Sequence, residues 1–386
     1  MNPFNYSYPV KIYFGDGITE QTLEAELANT GNNILLAYGG GSVKKTGLYD
    51  KIRKVLLNSG KNVTDFGGIM PNPTYAKVQE GARLVRKDNI DFILAVGGGS
   101  VSDCGKVISA QAKIEEDLWD YEYELKKQPE EFIPMGVVVT VSGTGSEQNN
   151  GAVITHEGKQ VKGALWGAFA SWTVLDVELT MTVPFKQVIS GAFDTLSHCM
   201  ETYLGKPGDN NVTDEINESV QRNTIRNIRA LLENSEDRTA RSELMWDSAM
   251  AENGILKIGK QTDFQCHMIE HQLAAFTDCN HGAGLAVIHP AVYRRIYKDY
   301  DTKFARWASE VWGVAADGKT DEAVALEGIE ALAAFIREIG LPSTFTEMNI
   351  TDKDVFRKTA DSCILTPGCA RKLDRDEIYQ LLAECE

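Results

Sequence analysis

Apolar runs typical of β-strands alternate with helical patterns through the first half of the chain, and this alternation restricts the fold more than any other feature. The runs cover residues 33–38, 61–66, 91–97, 135–141 and 173–177. Between them lie helical patterns such as residues 72–89, where Pro73 suits a helix start. A β–α–β alternation predicts a doubly wound, mostly parallel sheet in an α/β domain.

The pattern becomes helical after Pro184 and stays so to the end of the chain. Long helical stretches cover residues 213–234 and 321–340, and the second of them stops at Gly340. Because single hydrophobic cores stop growing at roughly 250–300 residues, a chain of 386 residues favours two domains. We therefore predict an α/β domain over residues 1–184 and an all-α domain over residues 185–386.

Composition and charge exclude several classes of protein. The net charge of −16 repels phosphate backbones, so we expect no nucleic-acid partner. No apolar run approaches the roughly 20 residues of a membrane span, and the first residues lack the pattern of a signal peptide. The seven cysteines include no CxxC pair, which favours a reducing compartment. These features predict a cytoplasmic protein without a membrane partner.

Three glycine-rich turns follow predicted strands. Two are near copies, LAYGGGSVKK at residues 36–45 and LAVGGGSVSD at residues 94–103, and the third is SGTGSE at residues 142–147. Backbone NH groups in such a turn, followed by a helix N-terminus, can bind an anion at the carboxyl edge of a parallel sheet. Each turn alone is more often only a tight turn, but three together favour a nucleotide or dinucleotide site. None of them has the G-x-G-x-x-G spacing.

The first of these turns indicates the form of the cofactor. An acid at this strand end would accept hydrogen bonds from the ribose hydroxyls of NAD, but here Lys44 and Lys45 follow the glycines and no acid does. The two lysines could bind a 2′-phosphate, which favours NADP(H). The alternative is an ordinary pair of solvated surface lysines.

Four of the six histidines fall in two short segments. Asp194 and His198 are spaced i, i+4, as are His267 and His271, and His281 precedes Gly282, where we expect a bend. One carboxylate with two or three imidazoles suits Fe²⁺ or Zn²⁺. The alternatives are a helix-surface ion pair and satisfied core histidines. HMIEH matches HExxH only in its histidine spacing, which disfavours metalloprotease chemistry.

Taken together, GGGSVSDCGK, SGTGSE, GAFDTLSH, HMIEH and NHGAGLAVIHP resemble the iron-containing (group III) alcohol dehydrogenases, in this order and over almost the whole chain. The YGGGSVKKTG segment resembles most the NADP(H)-dependent butanol dehydrogenase and aldehyde reductase branch. The resemblance implies a modified Rossmann domain, a helical C-terminal domain and a homodimer. It also implies hydride transfer between NADP(H) and a primary alcohol or aldehyde.

The resemblance also assigns residues by position. The implied metal ligands are Asp194, His198, His267 and His281, and the metal would be Fe²⁺ or Zn²⁺. His271 matches a catalytic histidine near the nicotinamide and the substrate that is not a ligand. The implied cofactor residues are Gly39, Gly40, Ser42 and Lys45 at the 2′-phosphate, Gly97, Gly98, Gly99 and Ser100 at the pyrophosphate, and Asp103, Thr140, Thr144 and Lys162 elsewhere in the cofactor site. Lys159 is the rival of Lys162.

Three other functions fit parts of the sequence. A metal-dependent lyase resembling dehydroquinate synthase would need a denser set of basic residues. A relative of glycerol dehydrogenase would favour small polyols and NAD, against which the lysine turn argues. A non-catalytic nucleotide- or metal-binding protein would explain the glycines but would give His271 no role.

Overall fold

The computed structural model describes residues 1–208, 210–368 and 370–386. The chain forms two compact units, one of Ser7–Pro184 and one of Met1–Tyr6 with Phe185–Glu386. The first residues belong to the second unit because they bond to it: the backbone N of Asn2 donates to the carbonyl of Gly259 at 2.9 Å.

The Ser7–Pro184 unit is built on a six-stranded, fully parallel sheet in the order β1-β8-β5-β4-β2-β3. The strands of this unit are β1 (Lys11–Gly15), β2 (Asn33–Gly39), β3 (Asn62–Ile69), β4 (Phe92–Gly97), β5 (Met135–Val139), β6 (Gly151–His156), β7 (Val161–Trp166) and β8 (Trp172–Asp176). Its helices are α1 (Thr19–Leu27), α2 (Ser42–Lys45), α3 (Leu48–Asn58), α4 (Tyr75–Lys87), α5 (Gly99–Gln111), α6 (Leu118–Tyr123) and α7 (Val177–Thr180). This architecture confirms the predicted fold class.

The central strands explain why the sheet is parallel. Every residue of β4, β5 and β8 is buried, as expected when helices cover both faces of the sheet. Because β2, β4 and β5 are neighbours in the sheet, the three glycine-rich turns that follow them lie side by side at its carboxyl edge.

The helix predicted over residues 72–89 is shorter in the structure. α4 begins at Tyr75, because the Thr74 hydroxyl caps it by accepting the backbone N–H of Lys77 at 3.2 Å. Asn72, with φ of 52°, has a left-handed backbone that a helix cannot include.

Three strands were not predicted from the sequence. β1 is an edge strand with two exposed and three partly buried residues, so it lacks a continuous apolar run. β6 and β7 form an antiparallel hairpin outside the main sheet. Its burial is irregular, because one face packs on α5 while the tip is exposed.

The second unit is helical, and its described residues form no sheet. Its helices are α8 (Phe185–Tyr203), α9 (Val212–Glu233), α10 (Arg238–Glu252), α11 (Gln265–Thr277), α12 (His281–Ile296), α13 (Asp301–Trp312), α14 (Asp321–Glu338), α15 (Lys353–Ser362) and α16 (Arg375–Glu384). One apolar cluster that includes Phe193, Leu196, Tyr293, Trp307 and Phe335 forms its core. Among the described helices of the chain, none has the length and apolar character needed to cross a bilayer.

Candidate functional site

Asp194 lies at the centre of a cluster of histidines from three helices. It shares α8 with His198, while His267 lies on α11 and His281 begins α12. The Asp194 Oδ1 atom is 3.5 Å from the Nε2 atoms of His198 and His267, and 3.4 Å from that of His281. The structure therefore brings together all four residues that the sequence suggested as metal ligands.

The start of α12 is fixed against α8 by a close backbone approach. Asn280 caps α12 by accepting the backbone N–H of Ala283 at 3.0 Å, and the Ser190 hydroxyl donates to the same Asn280 oxygen at 2.5 Å. A Cβ atom at Gly282 would lie 2.2 Å from the backbone oxygen of Ser190. Only glycine lets the two helices come this close, and the contact fixes where His281 begins.

The start of α11 is fixed by an unusual backbone conformation. Phe264, the residue before the helix, has φ of 57° and ψ of 33°, which is uncommon for a bulky residue and signals a position held by its surroundings. Its ring packs on those of His198 and His267, with centroids 5.5 and 5.2 Å apart. The strained residue thus lines the histidine cluster.

The other ring nitrogen of each histidine lies against a buried carboxylate. His198 Nδ1 is 2.8 Å from Glu252 Oε1, and close contacts join His267 Nδ1 to Glu201 and His281 Nδ1 to Glu270. Sequence reasoning missed these three glutamates. For Glu201 a signal was available, since positions 194, 198 and 201 share one face of a helix.

The buried carboxylates of the cluster favour positive charge around Asp194. Burial by itself raises the pKa of a carboxyl, but the histidines hold the pKa of Asp194 well below its usual range. Burial likewise lowers the pKa of a histidine, yet the carboxylates of Glu201 and Asp194 raise the pKa of His267 to about 10. Both shifts mean that the carboxylates must be matched by positive charge, supplied by protons or by a cation.

The donor atoms fit a divalent metal ion. Asp194 Oδ1 and His267 Nε2 are buried and, within the described part of the chain, accept or donate no hydrogen bond. Metal–ligand bonds of about 2.0–2.1 Å in a tetrahedral site place its donor atoms about 3.3–3.4 Å apart. The three separations from Asp194 Oδ1, 3.4–3.5 Å, are close to this value. The ligand atoms of Asp194, His267 and His281 also lie within 4.8 Å of one another, and the mixed imidazole and carboxylate set suits Zn²⁺ or Fe²⁺.

His271 lies one helical turn beyond His267, outside the group centred on Asp194. It is buried and stacks on His281 with ring centroids 5.4 Å apart. Donor atoms of Glu270, His271 and His281 also lie close enough to form a second set. His281, however, has Nε2 towards Asp194 and Nδ1 towards Glu270, so its Nε2 is available to the Asp194 group.

His289 is a core histidine. It is fully buried, with Nε2 2.5 Å from the Ser197 hydroxyl, and burial lowers its pKa to about 4. A neutral imidazole in this position needs no role in the chemistry.

In the other unit, the glycine turn after β4 packs tightly against the turn after β5. The backbone N–H of Thr140 donates to the carbonyl of Gly97 at 2.9 Å, and a Cβ atom at Gly99 would lie 2.3 Å from the Thr144 hydroxyl. Helix α5 then begins at Gly99 and runs on through Ser100, with Gly98 as N-cap and no side-chain cap. Its first backbone N–H groups are therefore available to an anion.

Asp103 and Lys162 both engage other residues of this unit. Asp103 accepts hydrogen bonds from the Ser146 hydroxyl at 2.5 Å and the Val153 backbone N–H at 2.9 Å, and burial raises its pKa. Lys162 is buried and donates to the Asn72 side-chain oxygen at 2.9 Å. Its rival Lys159 lies at the surface, paired with Asp120 at 2.8 Å.

The turn after β2 is more open. No atom lies within 4 Å of a Cβ atom built at Gly40, whereas one at Gly39 would touch the carbonyl of Ile69 at 3.4 Å. Ser42 and Lys45, the first and last residues of α2, are exposed. Between them, Lys44 directs its ammonium group over the rings of Tyr38 and Tyr49, at 5.0 and 4.8 Å from their centroids.

A parallel α/β unit with glycine-rich turns is typical of nucleotide-binding proteins, and the Asp–His₃ cluster of the helical unit suits a divalent metal ion. Two family models match the chain: iron-containing alcohol dehydrogenase over residues 9–177, and the C-terminal domain of the Fe-containing alcohol dehydrogenase family over residues 188–385. The chain belongs to the iron-containing alcohol dehydrogenase family, and it is an oxidoreductase of alcohols and aldehydes.

Similar proteins cover the whole chain. A probable NADH-dependent butanol dehydrogenase 1 of Bacillus subtilis (strain 168) is 37% identical over 388 residues, 99% of each chain. The NADPH-dependent aldehyde reductase YqhD of Escherichia coli (strain K12) is 33% identical over 385 residues, covering 99% of this chain and 95% of YqhD. The crystal structure of NADH-dependent butanol dehydrogenase A from Thermotoga maritima superposes with a TM-score of 0.92 at 32% identity, covering 100% of this chain and 99% of that one.

We predict that Gly282→Ala destabilises the protein although alanine is the better helix former. The added methyl group would meet the Ser190 backbone oxygen, which cannot move without α8, and such overpacking costs roughly 1–3 kcal/mol. The midpoint of urea unfolding should fall. Gly105→Ala is the matched control, because in α5 the tightest contact of the new Cβ would be with the flexible end of Met135, at 3.2 Å. A Gly282→Ala protein as stable as the wild type would show that the helix contact does not need glycine.

Proposed function

We propose that the chain is a metal-dependent alcohol dehydrogenase and aldehyde reductase that uses NADP(H) and acts on primary alcohols and aldehydes of butanol and butyraldehyde size. The observation that carries this proposal is the convergence of three histidine Nε2 atoms on Asp194 Oδ1 at 3.4–3.5 Å. The names of the butanol dehydrogenases and of the aldehyde reductase support the substrate class.

In this proposal Asp194, His198, His267 and His281 hold one divalent ion, Fe²⁺ or Zn²⁺. The ion supplies a Lewis acid for the substrate oxygen, and the nicotinamide cofactor supplies or accepts the hydride. Three neutral imidazoles leave the charge of a divalent ion at +2. The Asp194 carboxylate lowers the combined charge of the ion and its four ligands to +1. The ligand atoms of Asp194 and His267 are buried, so little water would screen the charge of the ion.

His271 is the proposed proton donor in aldehyde reduction and acceptor in alcohol oxidation. It lies one turn from His267 and stacks on His281, so α11 and α12 together fix its ring beside the metal ligands. A histidine suits this role because its ordinary pKa lies near neutral pH.

The glycine turn after β4 is the proposed pyrophosphate site. Gly97, Gly98, Gly99 and Ser100 form the strand-to-helix turn, and the α5 N-terminus brings backbone N–H groups and a partial positive charge. Thr140 and Thr144 line the adjoining turn. We place Lys162 rather than Lys159 in the cofactor site, because Lys162 is buried whereas Lys159 pairs with Asp120 at the surface. Asp103 remains a predicted cofactor contact, although both its oxygens already accept hydrogen bonds.

The preference for NADP(H) rests on the turn after β2. The backbone is open at Gly40, next to Gly39, and Ser42 and Lys45 are exposed beside it. The lysine pair does not act as one unit, since Lys44 is directed over two tyrosine rings. Lys45 is therefore the proposed contact to the 2′-phosphate. Among the similar proteins both NADH and NADPH appear in the names, so this preference needs a direct test.

The homodimer and the cytoplasmic location likewise remain predictions.

The enzymatic proposal is tested by following absorbance at 340 nm with butyraldehyde and NADPH. We expect the purified protein to oxidise NADPH, a chelator to abolish the reaction, and Fe²⁺ or Zn²⁺ to restore it. His267→Ala should lose both bound metal and turnover, because it removes one donor from a buried site. His289→Asn serves as the control, since this core histidine contacts Ser197 rather than Asp194. Full activity of a metal-free protein would refute the metal-dependent function.

The cofactor proposal predicts a selective effect of Lys45→Met. Loss of one charge-assisted hydrogen bond, about 1.5–3 kcal/mol, should raise the KM for NADPH roughly 10–150-fold and leave the KM for NADH unchanged. Lys54→Met, which removes an exposed lysine from the neighbouring helix α3, should change neither value. An equal change for both cofactors, or no change for NADPH, would place the 2′-phosphate elsewhere.

A further inference from the structure

Each of the three histidines around Asp194 has a carboxylate oxygen near both of its ring nitrogens. Nε2 faces the aspartate, and Nδ1 faces a glutamate: Glu252 behind His198, Glu201 behind His267 and Glu270 behind His281. The three glutamates are at most 5% exposed. The pattern is thus repeated three times around one centre.

The glutamates are themselves fixed by other parts of the chain. Glu201 also accepts the backbone N–H groups of Cys266 at 2.6 Å and His267 at 3.2 Å, at the start of α11. Glu252 accepts a hydrogen bond from Lys257 at 2.8 Å. The side chain of Glu270 occupies space that a Cβ atom at Gly284 would invade, at 2.9 Å from its Cγ atom. Their positions therefore do not depend on the histidines alone.

These carboxylates are costly to bury. Each loses hydration on folding, and the effective penalty is several kcal/mol for an ion that is not well paired. Apolar residues of similar size would fill the same space without that cost. Their placement at the three Nδ1 atoms indicates a function in controlling the rings.

A carboxylate beside one ring nitrogen determines which nitrogen of a histidine carries the proton. A neutral imidazole carries one N–H, and a carboxylate at Nδ1 keeps the proton there, which leaves the Nε2 lone pair directed at the centre. The negative charge also makes Nε2 a stronger donor to a metal. Both effects act on the same atom, the one that faces Asp194.

We propose that Glu201, Glu252 and Glu270 are positioning residues that set the affinity of the Asp194 site for its divalent ion by fixing the tautomer and orientation of the three histidines. This inference rests on the proposed metal site and adds residues to it. It makes α10, which carries no proposed ligand, part of the metal centre through Glu252.

The test is a titration of the metal-stripped full chain with Zn²⁺ in competition with a fluorescent chelator, without any activity assay. Glu270→Gln and Glu252→Gln are the chosen variants, because glutamine keeps an oxygen acceptor for Nδ1–H but loses the charge. Glu201→Gln is less suitable, since its amide would face the backbone N–H groups of α11. We expect each chosen variant to bind Zn²⁺ about 10–100-fold more weakly than the wild type. Glu270→Ala, which also loses the acceptor, should bind more weakly than Glu270→Gln.

Asp247→Asn is the matched control. Asp247 lies on α10 five residues before Glu252, is as deeply buried, and bonds to Asn223 and Thr224 rather than to a histidine. It should leave the Zn²⁺ affinity unchanged. Wild-type affinity in both glutamate variants would overturn the inference while leaving the metal site in place. A wild-type chain that binds no Zn²⁺ or Fe²⁺ would overturn both the metal site and this inference.

A second measurement uses only the wild-type protein, so it does not depend on whether the variants fold. In the Zn²⁺-loaded protein, ¹⁵N spectra of the histidine rings should show His198, His267 and His281 protonated at Nδ1 and metal-bound at Nε2. Metal bound through Nδ1 in any of the three would contradict the proposed role of the glutamate behind that ring.

Discussion

The contact between the Asp194 carboxylate and three histidines is the interaction on which the proposed metal site depends. It joins α8, α11 and α12, and the glutamate behind His198 adds α10. Four buried carboxylates around three imidazoles would be strongly unfavourable without positive charge. The same charge pattern that makes the cluster costly in an ordinary core suits it to bind a cation. Close helix packing at Gly282 and the strained backbone of Phe264 serve to keep these groups together.

In the α/β unit, the order of the strands by itself brings the proposed cofactor-binding turns together. Its parallel sheet places the ends of β2, β4 and β5 at one edge, so the order of the strands makes the three glycine-rich turns neighbours. In the proposed cofactor site, anion binding would depend on backbone N–H groups and a helix N-terminus, whereas the proposed metal site depends on buried side chains. A protein of net charge −16 can bind a negatively charged cofactor because this attraction is local.

Much of this could be predicted from the sequence, for identifiable reasons. Strands such as β4 and β5 are apolar at every position, which is typical of the centre of a parallel sheet. Asp194 and His198 are one helical turn apart, so their proximity is a local property. The edge strand β1 and the β6–β7 hairpin were missed because neither has a continuous apolar run. Glu252 could not be predicted, because only tertiary packing brings the end of α10 to His198.

The most direct test of the proposed metal site is anomalous X-ray diffraction from crystals of the protein as purified, recorded on both sides of the iron and zinc absorption edges. We expect one anomalous peak per chain, bonded to Asp194, His198, His267 and His281 at about 2.0–2.2 Å, with His271 outside bonding distance. A peak bonded to Glu270 and His271 instead, or a fully metallated protein with no peak beside Asp194, would contradict it.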